Sequence, residues 1–247
     1  MIGTQIKNRY RIDREIGQGG MGTVYKGYDT LLKRDIAIKM LTEAKLDSED
    51  RRRLLQEAQV IAQLSHPNII TVYDVGEYEK NPYIVMAYFE GGNLYDRPRM
   101  DIEEIVAVIQ QVCAALAHSH DHGIIHRDLK PENVFLIKAF DTEDFVKVLD
   151  FGISKVKTSE AHLTQSGQII GTPYFMSPEQ AEGKLDLDHR SDIYSLGAMM
   201  YQVLTGHYPF EAESFQRVLV KVLMEEPPRP RLYRPDLPQD VEDVIVK

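Results

Sequence analysis

The chain has 247 residues, 43% of them apolar and 27% charged, with a formal net charge of -9; this is globular composition, enough for one large domain or two lobes, and its acidity argues against nucleic acid as a partner of the whole molecule. Apolar runs are short and interrupted, so no membrane segment is expected in this chain, and the N-terminus lacks a basic-then-apolar signal pattern. The single cysteine, Cys113, allows no internal disulfide and is expected to pack inside an apolar helix, which together point to a reduced, cytoplasmic setting.

The segment "YRIDREIGQGGMGTVYKGYD" alternates Ile, Val and Tyr with glycines and predicts strands joined by a glycine turn. "RDIAIKML" is a further short strand. In "RRRLLQEAQVIAQL", Leu54, Leu55, Ala58, Ile61, Ala62 and Leu64 recur at helical spacing, with Arg51, Arg52 and Arg53 on a solvated face. Pro67 biases His66 away from helical angles. "IITVYDVGEY" and "PYIVMAYF" add two strands. Residues 1–90 are therefore expected to form a mostly antiparallel sheet with one helix.

"EGGNLYDRPR" is the connector best suited to a lobe boundary. "DIEEIVAVIQQVCAALAHSHDHG" opens with acids and ends at glycine, as a long helix should. Two short strands follow in "NVFLI" and "VKVLDFG", with "KAFDTED" as the hairpin loop between them. Residues 153–176 are polar without a clear period, and a loop of that length in a compact domain is expected to be functional. "SDIYSLGAMMYQVLTG" reads as a buried helix and "SFQRVLVKVLM" as another. "EEPPRPRLYRPDLP" is a link, and "VEDVIVK" begins a last helix.

Three stretches carry chemistry. "GQGGMGTV" places Gly17, Gln18, Gly19, Gly20, Gly22 and Val24 in the pattern G-x-G-x-x-G-x-V, where backbone N–H groups can approach phosphate oxygens. A strand on each side argues against a dinucleotide-binding turn, which would open into a helix. "IAIK" puts Lys39 on a strand, with Glu57 on the next helix as a candidate partner. "HRDLKPENVFL" and "VLDFG" supply Asp128, Lys130, Asn133 and Asp150. Two acids and an amide can ligate a hard cation such as magnesium, and a lysine can neutralise phosphate.

In this order the stretches resemble the protein kinases, and within them the bacterial serine/threonine kinases of eukaryotic type. The matching signatures are the glycine loop, "IAIK", "HRDLKPEN", "DFG" and "SPE", continuing into "HRSDIYSLG". The resemblance covers essentially the whole chain. It implies a bilobal α+β fold over residues 1–247, with a small antiparallel sheet and one main helix in an N-lobe (1–90) and a larger, mainly helical C-lobe (91–247). It also implies ATP and Mg2+ as cofactors and proteins with Ser or Thr acceptors as substrates. Lys39 would contact the α- and β-phosphates and pair with Glu57. Asp128 would accept the proton of the substrate hydroxyl, Lys130 would stabilise the transferring group, and Asn133 and Asp150 would hold magnesium. Adenine would lie between Val24 and Ala37 on one side and Phe135 on the other. Met86 would stand behind it, and backbone groups of Ala87 and Phe89 at its edge, with Asn93 or Asp96 near the ribose. Ile61, Val72, His126 and Phe151 would stack internally, anchored by Asp192. Arg127 would pair with a phosphate at Thr164 or Ser166, and Thr172 would lie near Asp128 and Lys130. A nucleotide-binding pseudokinase scaffold is the alternative, and the presence of Lys39, Asp128, Asn133 and Asp150 argues against it.

The sequence departs from that family at a few positions. Ser177 stands where alanine is usual, Ala87 where glutamate is, and Tyr194 where many relatives carry tryptophan. The chain stops at Lys247 within what the resemblance makes a late helix, so the C-lobe is expected to be incomplete and the chain part of a longer protein. Glu179 accordingly lacks its usual arginine; since a carboxylate buried without a partner costs several kcal/mol, it is expected to hydrate, to find another partner or to destabilise its loop.

Overall fold

Strand alternation organises the first of two units into which the computed structural model divides the chain, the boundary falling between Glu90 and Gly91. The structure describes residues 1–19, 22–41, 48–97, 100–139, 142–151 and 173–247. The first unit holds a six-stranded antiparallel sheet in the order β1-β2-β3-β4-β6-β5. Its strands are β1 (Gln5–Ile6), β2 (Tyr10–Gly19), β3 (Gly22–Asp29), β4 (Arg34–Leu41), β5 (Val72–Tyr78) and β6 (Asn81–Ala87). Helix α1 (Ser48–Ile61) packs on β5 and β6 through the buried residues Leu54, Ala58 and Ile61. It begins before the predicted "RRR" and ends before Ala62, which is exposed.

Side chains of a strand alternate between faces, and residues directly opposite each other share a face. Tyr25, Ile36, Ile38, Met40, Tyr83 and Val85 accordingly fill one face, packed with Ile6, Tyr10 and Ile12. Full burial of each such isoleucine contributes about 1.5–3 kcal/mol. The other face carries Val24, Lys39 and Ile84 in one row and Ala37 opposite Met86 in the next.

Asp29 closes the turn from β3 to β4. Its carboxylate accepts Arg9 Nε at 2.9 Å and Arg9 Nη2 at 2.7 Å, and the N–H groups of Leu31 and Leu32 at 3.1 Å. The Arg9 guanidinium, aided by those N–H groups and opposed by burial, lowers the carboxyl pKa to about 2. A carboxylate depressed on folding stabilises above its unfolded pKa, roughly 4, and loses that contribution as pH falls through the folded value. The stability gap between the parent and Asp29→Asn is therefore expected to be full at pH 7 and closed near pH 2, as urea unfolding across that range will read.

The second unit is built around α2 (Ile102–Asp121) and α4 (Arg190–Thr205), which pack on each other. Asp101 caps α2 in a reciprocal box with Glu104. Ile105, Val108, Ile109, Val112, Ala115, Leu116 and Ser119 form its buried face. A three-stranded antiparallel sheet, β7 (Gly91–Asn93), β8 (Val134–Ala139) and β9 (Thr142–Val148), packs on α2 through β9. Short α3 (Pro178–Ala181), α5 (Phe215–Met224) and α6 (Gln239–Ile245) complete the α-helices of the described residues.

Four expectations need correction. The connector "EGGNLYDRPR" contains β7, because its glycines let the chain pair closely with β8: a Cβ at Gly91 would stand 2.1 Å from Leu136 O. Most of "KAFDTED" is strand, since β8 and β9 stay paired as far as Ala139 opposite Thr142. Cys113 is exposed, one residue past the buried Val112 in the helical turn, although partial burial still raises its thiol pKa. One helix, α2, is long and apolar enough to cross a membrane, with mean hydropathy 1.2, yet its apolar stripe is the one that packs on α4 and β9, as in a core helix. Glu179 is exposed in the first turn of α3, so of the three outcomes expected for it hydration is the one found.

Candidate active site

In the first unit, β2 and β3 carry the glycine hairpin, with Gly17 opposite Val24, Gln18 opposite Thr23 and Gly19 opposite Gly22. Gly22 has φ +144°, and a Cβ there would lie 2.0 Å from Met40 O, so both the backbone angle and the β4 strand demand glycine. Gly17 and Gly19 have open space where a side chain would stand. Gly20 lies outside the described residues. Lys39 is half-buried on the same sheet face as Val24 and Ala37, and Met86 shares that face. Glu57 is half-buried on α1 in the same unit. The Ala87 N–H donates to Thr71 O at 2.9 Å, so it is already committed; Phe89 is half-buried just beyond β6.

The second unit assembles "HRDLKPEN" into one hydrogen-bonded knot. His126 is fully buried, and burial pushes its pKa down, so the ring is neutral. Its Nε2 lies 2.8 Å from Leu149 O, an acceptor only, which places the proton on Nε2. Nδ1 then accepts the Asp128 N–H at 3.3 Å. His126 also packs on Phe151, with ring centroids 4.6 Å apart. Its role is to hold the loop, as a neutral ring with both nitrogens engaged.

Arg127 has φ +63°, a left-handed conformation that costs a non-glycine residue about 1–3 kcal/mol. Surrounding groups hold it there. Asp192, on the first turn of α4 and fully buried, accepts the His126 N–H at 2.7 Å and the Arg127 N–H at 2.8 Å. Gln180 Nε2 donates to Arg127 O at 2.8 Å.

Asp128 Oδ2 lies 3.1 Å from Lys130 Nζ, and both side chains keep some access to solvent. Asn133 Nδ2 donates to Asp128 O at 2.7 Å and to Asp128 Oδ2 at 3.3 Å. With its amide nitrogen turned to Asp128, Asn133 directs its Oδ1 elsewhere, as an oxygen ligand requires. Asn133 O accepts the Leu149 N–H at 2.8 Å, which ties the loop to the strand leading to Asp150. Asp150 also has positive φ, +54°. An amide oxygen and a carboxylate form a hard donor pair that suits magnesium, with the remaining positions left to phosphate oxygens and water. Phe135 lies on β8 opposite Asn93 and Lys147, while Asn93 and Asp96 bond each other, Nδ2 to Oδ2, at 2.7 Å.

The family of protein kinase domains matches residues 10–240 of this chain. The chain belongs to the protein kinase family. Among its curated relatives, the serine/threonine-protein kinase PrkC of Bacillus subtilis (strain 168) is 39% identical over 252 residues, covering 100% of this chain and 38% of the relative. The serine/threonine-protein kinase pkn3 of Myxococcus xanthus is 41% identical over 244 residues, covering 95% of this chain and 44% of the relative. This chain thus spans about two-fifths of the length of these relatives. Among solved structures, the PknI kinase domain of Mycobacterium tuberculosis, solved as a point mutant, superposes with a TM-score of 0.76 at 27% identity, covering 100% of this chain and 88% of that one.

The α+β fold class expected from the kinase resemblance is thereby borne out. Two residues of this kinase domain were not singled out by their sequence. Ser177, read as a minor departure, is fully buried, caps α3 in a reciprocal box with Gln180 and donates to Ser191 Oγ at 3.2 Å. Gln180 thereby ties the cap of α3 to the Arg127 carbonyl. The pattern S-x-x-Q signals such a cap in sequence, but nothing there indicates the second bond. Thr164, Ser166 and Thr172, the expected regulatory and substrate-side hydroxyls, lie outside the described residues.

Proposed function

We propose that this domain is a serine/threonine protein kinase that transfers the γ-phosphoryl group of Mg-ATP to hydroxyls of protein substrates and to its own chain. The observation that carries this reading is the Asp128–Lys130–Asn133 cluster, held on an anchored, left-handed turn and tied by Asn133 to the strand before Asp150. In it a base stands beside a cation, next to a pair of oxygen ligands. The serine/threonine-kinase names of its relatives support the reading.

On this view Asp128 orients the acceptor hydroxyl and takes its proton as the new oxygen–phosphorus bond forms and the bond from the γ-phosphorus to the β,γ-bridging oxygen breaks, leaving ADP. Lys130 balances charge on the transferring group. Asn133 and Asp150 would hold magnesium, which would supply charge neutralisation for the phosphates. Lys39, with Glu57, serves the α- and β-phosphates, and Gly17 to Gly22 cover them. Val24, Ala37, Met86, Ala87 and Phe89 of the first unit serve adenine. The rate gain comes from positioning and electrostatic stabilisation. Arg127 receives a phosphate formed at Thr164 or Ser166. The site works where ATP and magnesium are supplied, so we place the domain in the cytoplasm.

The test is incubation with γ-labelled ATP, magnesium and a generic basic protein, followed by phosphoamino-acid analysis. Label on serine and threonine, with mass-spectrometric modification of Thr164 or Ser166, is the expected result. Tight ATP binding with no label transferred favours the pseudokinase scaffold and rejects the catalytic reading.

A further inference from the structure

We propose that a cavity in the second unit, between the connector after β7 and the C-terminal end of α4, binds small heteroaromatic molecules of the indole class, a fused apolar ring system with one N–H donor. The cavity holds about 350 Å3 and is also bordered by the start of α2 and by Tyr233. Small-molecule sites begin at about 300 Å3, so a single fused ring system suits this one better than a nucleotide. Leu94, Met100, Ile105 and Leu204 form its floor, and each is almost fully buried. The core of the unit thus builds the apolar surface of the site.

The rest of the lining selects the ligand. Tyr95 and Tyr233 present rings that are 51% and 42% exposed. His207 stacks on Tyr233 with ring centroids 4.2 Å apart, and Tyr201 meets its edge at 6.5 Å, so that ring is held in place. Aromatic rings prefer offset or edge-on aromatic partners, which favours a flat ligand. Gln202, on α4, contributes an Oε1 that is buried and has no hydrogen-bond partner. Folded proteins pair nearly all such atoms, so an orphaned acceptor in a cavity wall marks the place of a donor. Arg97 is the only charged residue among the described residues of the lining, and Asp144 lies 2.7 Å from it. The site therefore calls for neither an anion nor a cation. An indole ring matches this set, because its one polar group is an N–H that donates and cannot accept.

The connector that lines the cavity is tied to its neighbours. The Leu94 N–H donates to Val134 O at 2.8 Å, and the Asp96 N–H donates to Asn93 Oδ1 at 2.8 Å. A ring bound against Leu94 and Tyr95 stabilises these bonds, so amide hydrogen exchange at residues 93–97 should slow on binding.

The chain contains no tryptophan, so indole fluorescence excited beyond the tyrosine band reports binding without background. The experiment titrates the full chain into dilute indole and follows the anisotropy. The expected dissociation constant is on the order of 0.1 mM, as suits a ligand of so few atoms. Benzofuran has the same shape with an oxygen in place of the N–H, and it should displace indole only at about 3- to 10-fold higher concentration than unlabelled indole needs. Gln202→Leu keeps the bulk and removes the acceptor, so its affinities for indole and benzofuran should become equal. Val203→Phe, which fills the cavity from α4, should abolish both. Melting temperatures check that each variant is folded, and the benzofuran comparison on the parent stands even where a variant is not. Equal affinity of the parent for indole and benzofuran overturns the proposal. So does a folded Gln202→Leu chain that still prefers indole, or indole that binds without slowing exchange at residues 93–97. Absence of any anisotropy change up to about ten times the expected constant overturns it as well.

Discussion

Asp128→Asn is expected to lower kcat for protein phosphorylation by about 1,000-fold while leaving the KM for ATP within about two-fold. Asparagine has the same shape and can still accept a hydrogen bond from Lys130 Nζ, now 3.1 Å from Oδ2. It cannot take the proton of the acceptor hydroxyl. The fold should not suffer, because the loop is held through the backbone of Asp128, whose carbonyl accepts Asn133 Nδ2 and whose N–H meets His126 Nδ1. Steady-state kinetics with labelled ATP, beside a thermal melt of each protein, makes the comparison. Equal turnover by parent and variant would remove Asp128 from the mechanism.

Asp192→Ala should be the most damaging single change to stability in the second unit. It removes the acceptor of two backbone N–H groups and of His120, all converging on one buried carboxylate. Stranding a buried donor costs about 1–3 kcal/mol, and three donors lose their acceptor, so a loss of about 3–5 kcal/mol is expected. For a chain of this size that lowers the melting temperature by about 10 °C. Differential scanning fluorimetry will read it. A shift under about 2 °C would mean that other contacts hold the Arg127 turn. Asp192→Asn, which keeps one oxygen acceptor, should fall between parent and alanine.

The features legible in sequence were local. Alternation in "RDIAIKML" gave β4, helical spacing from Leu54 to Ile61 gave the buried side of α1, and the short spacing within "HRDLKPEN" brought Asp128, Lys130 and Asn133 into one bonded loop. Features that depend on distant partners were not legible. Gln180 reaches Arg127 across 53 positions and His120 reaches Asp192 across 72, and no periodicity encodes such a bond. Cys113 went astray by a single helical step, since Val112 and Cys113 are equally apolar and only the packing of α2 on β9 and α4 decides which turns inward. β7 was hidden by its glycines, which read as connector until β8 supplies a partner.

The division of β4 between two sheet faces has a consequence for how this domain can diverge. Ile36, Ile38 and Met40 belong to the packed layer, whereas Ala37 and Lys39 face the side assigned to nucleotide. Selection on folding and selection on ligand use therefore fall on alternate residues of one strand. A saturation scan of residues 36–40 should show a two-residue rhythm, in which the even positions lose soluble protein and the odd positions keep the protein but lose its affinity for ATP. Inhibitor resistance arising in this strand would then be confined to every second codon.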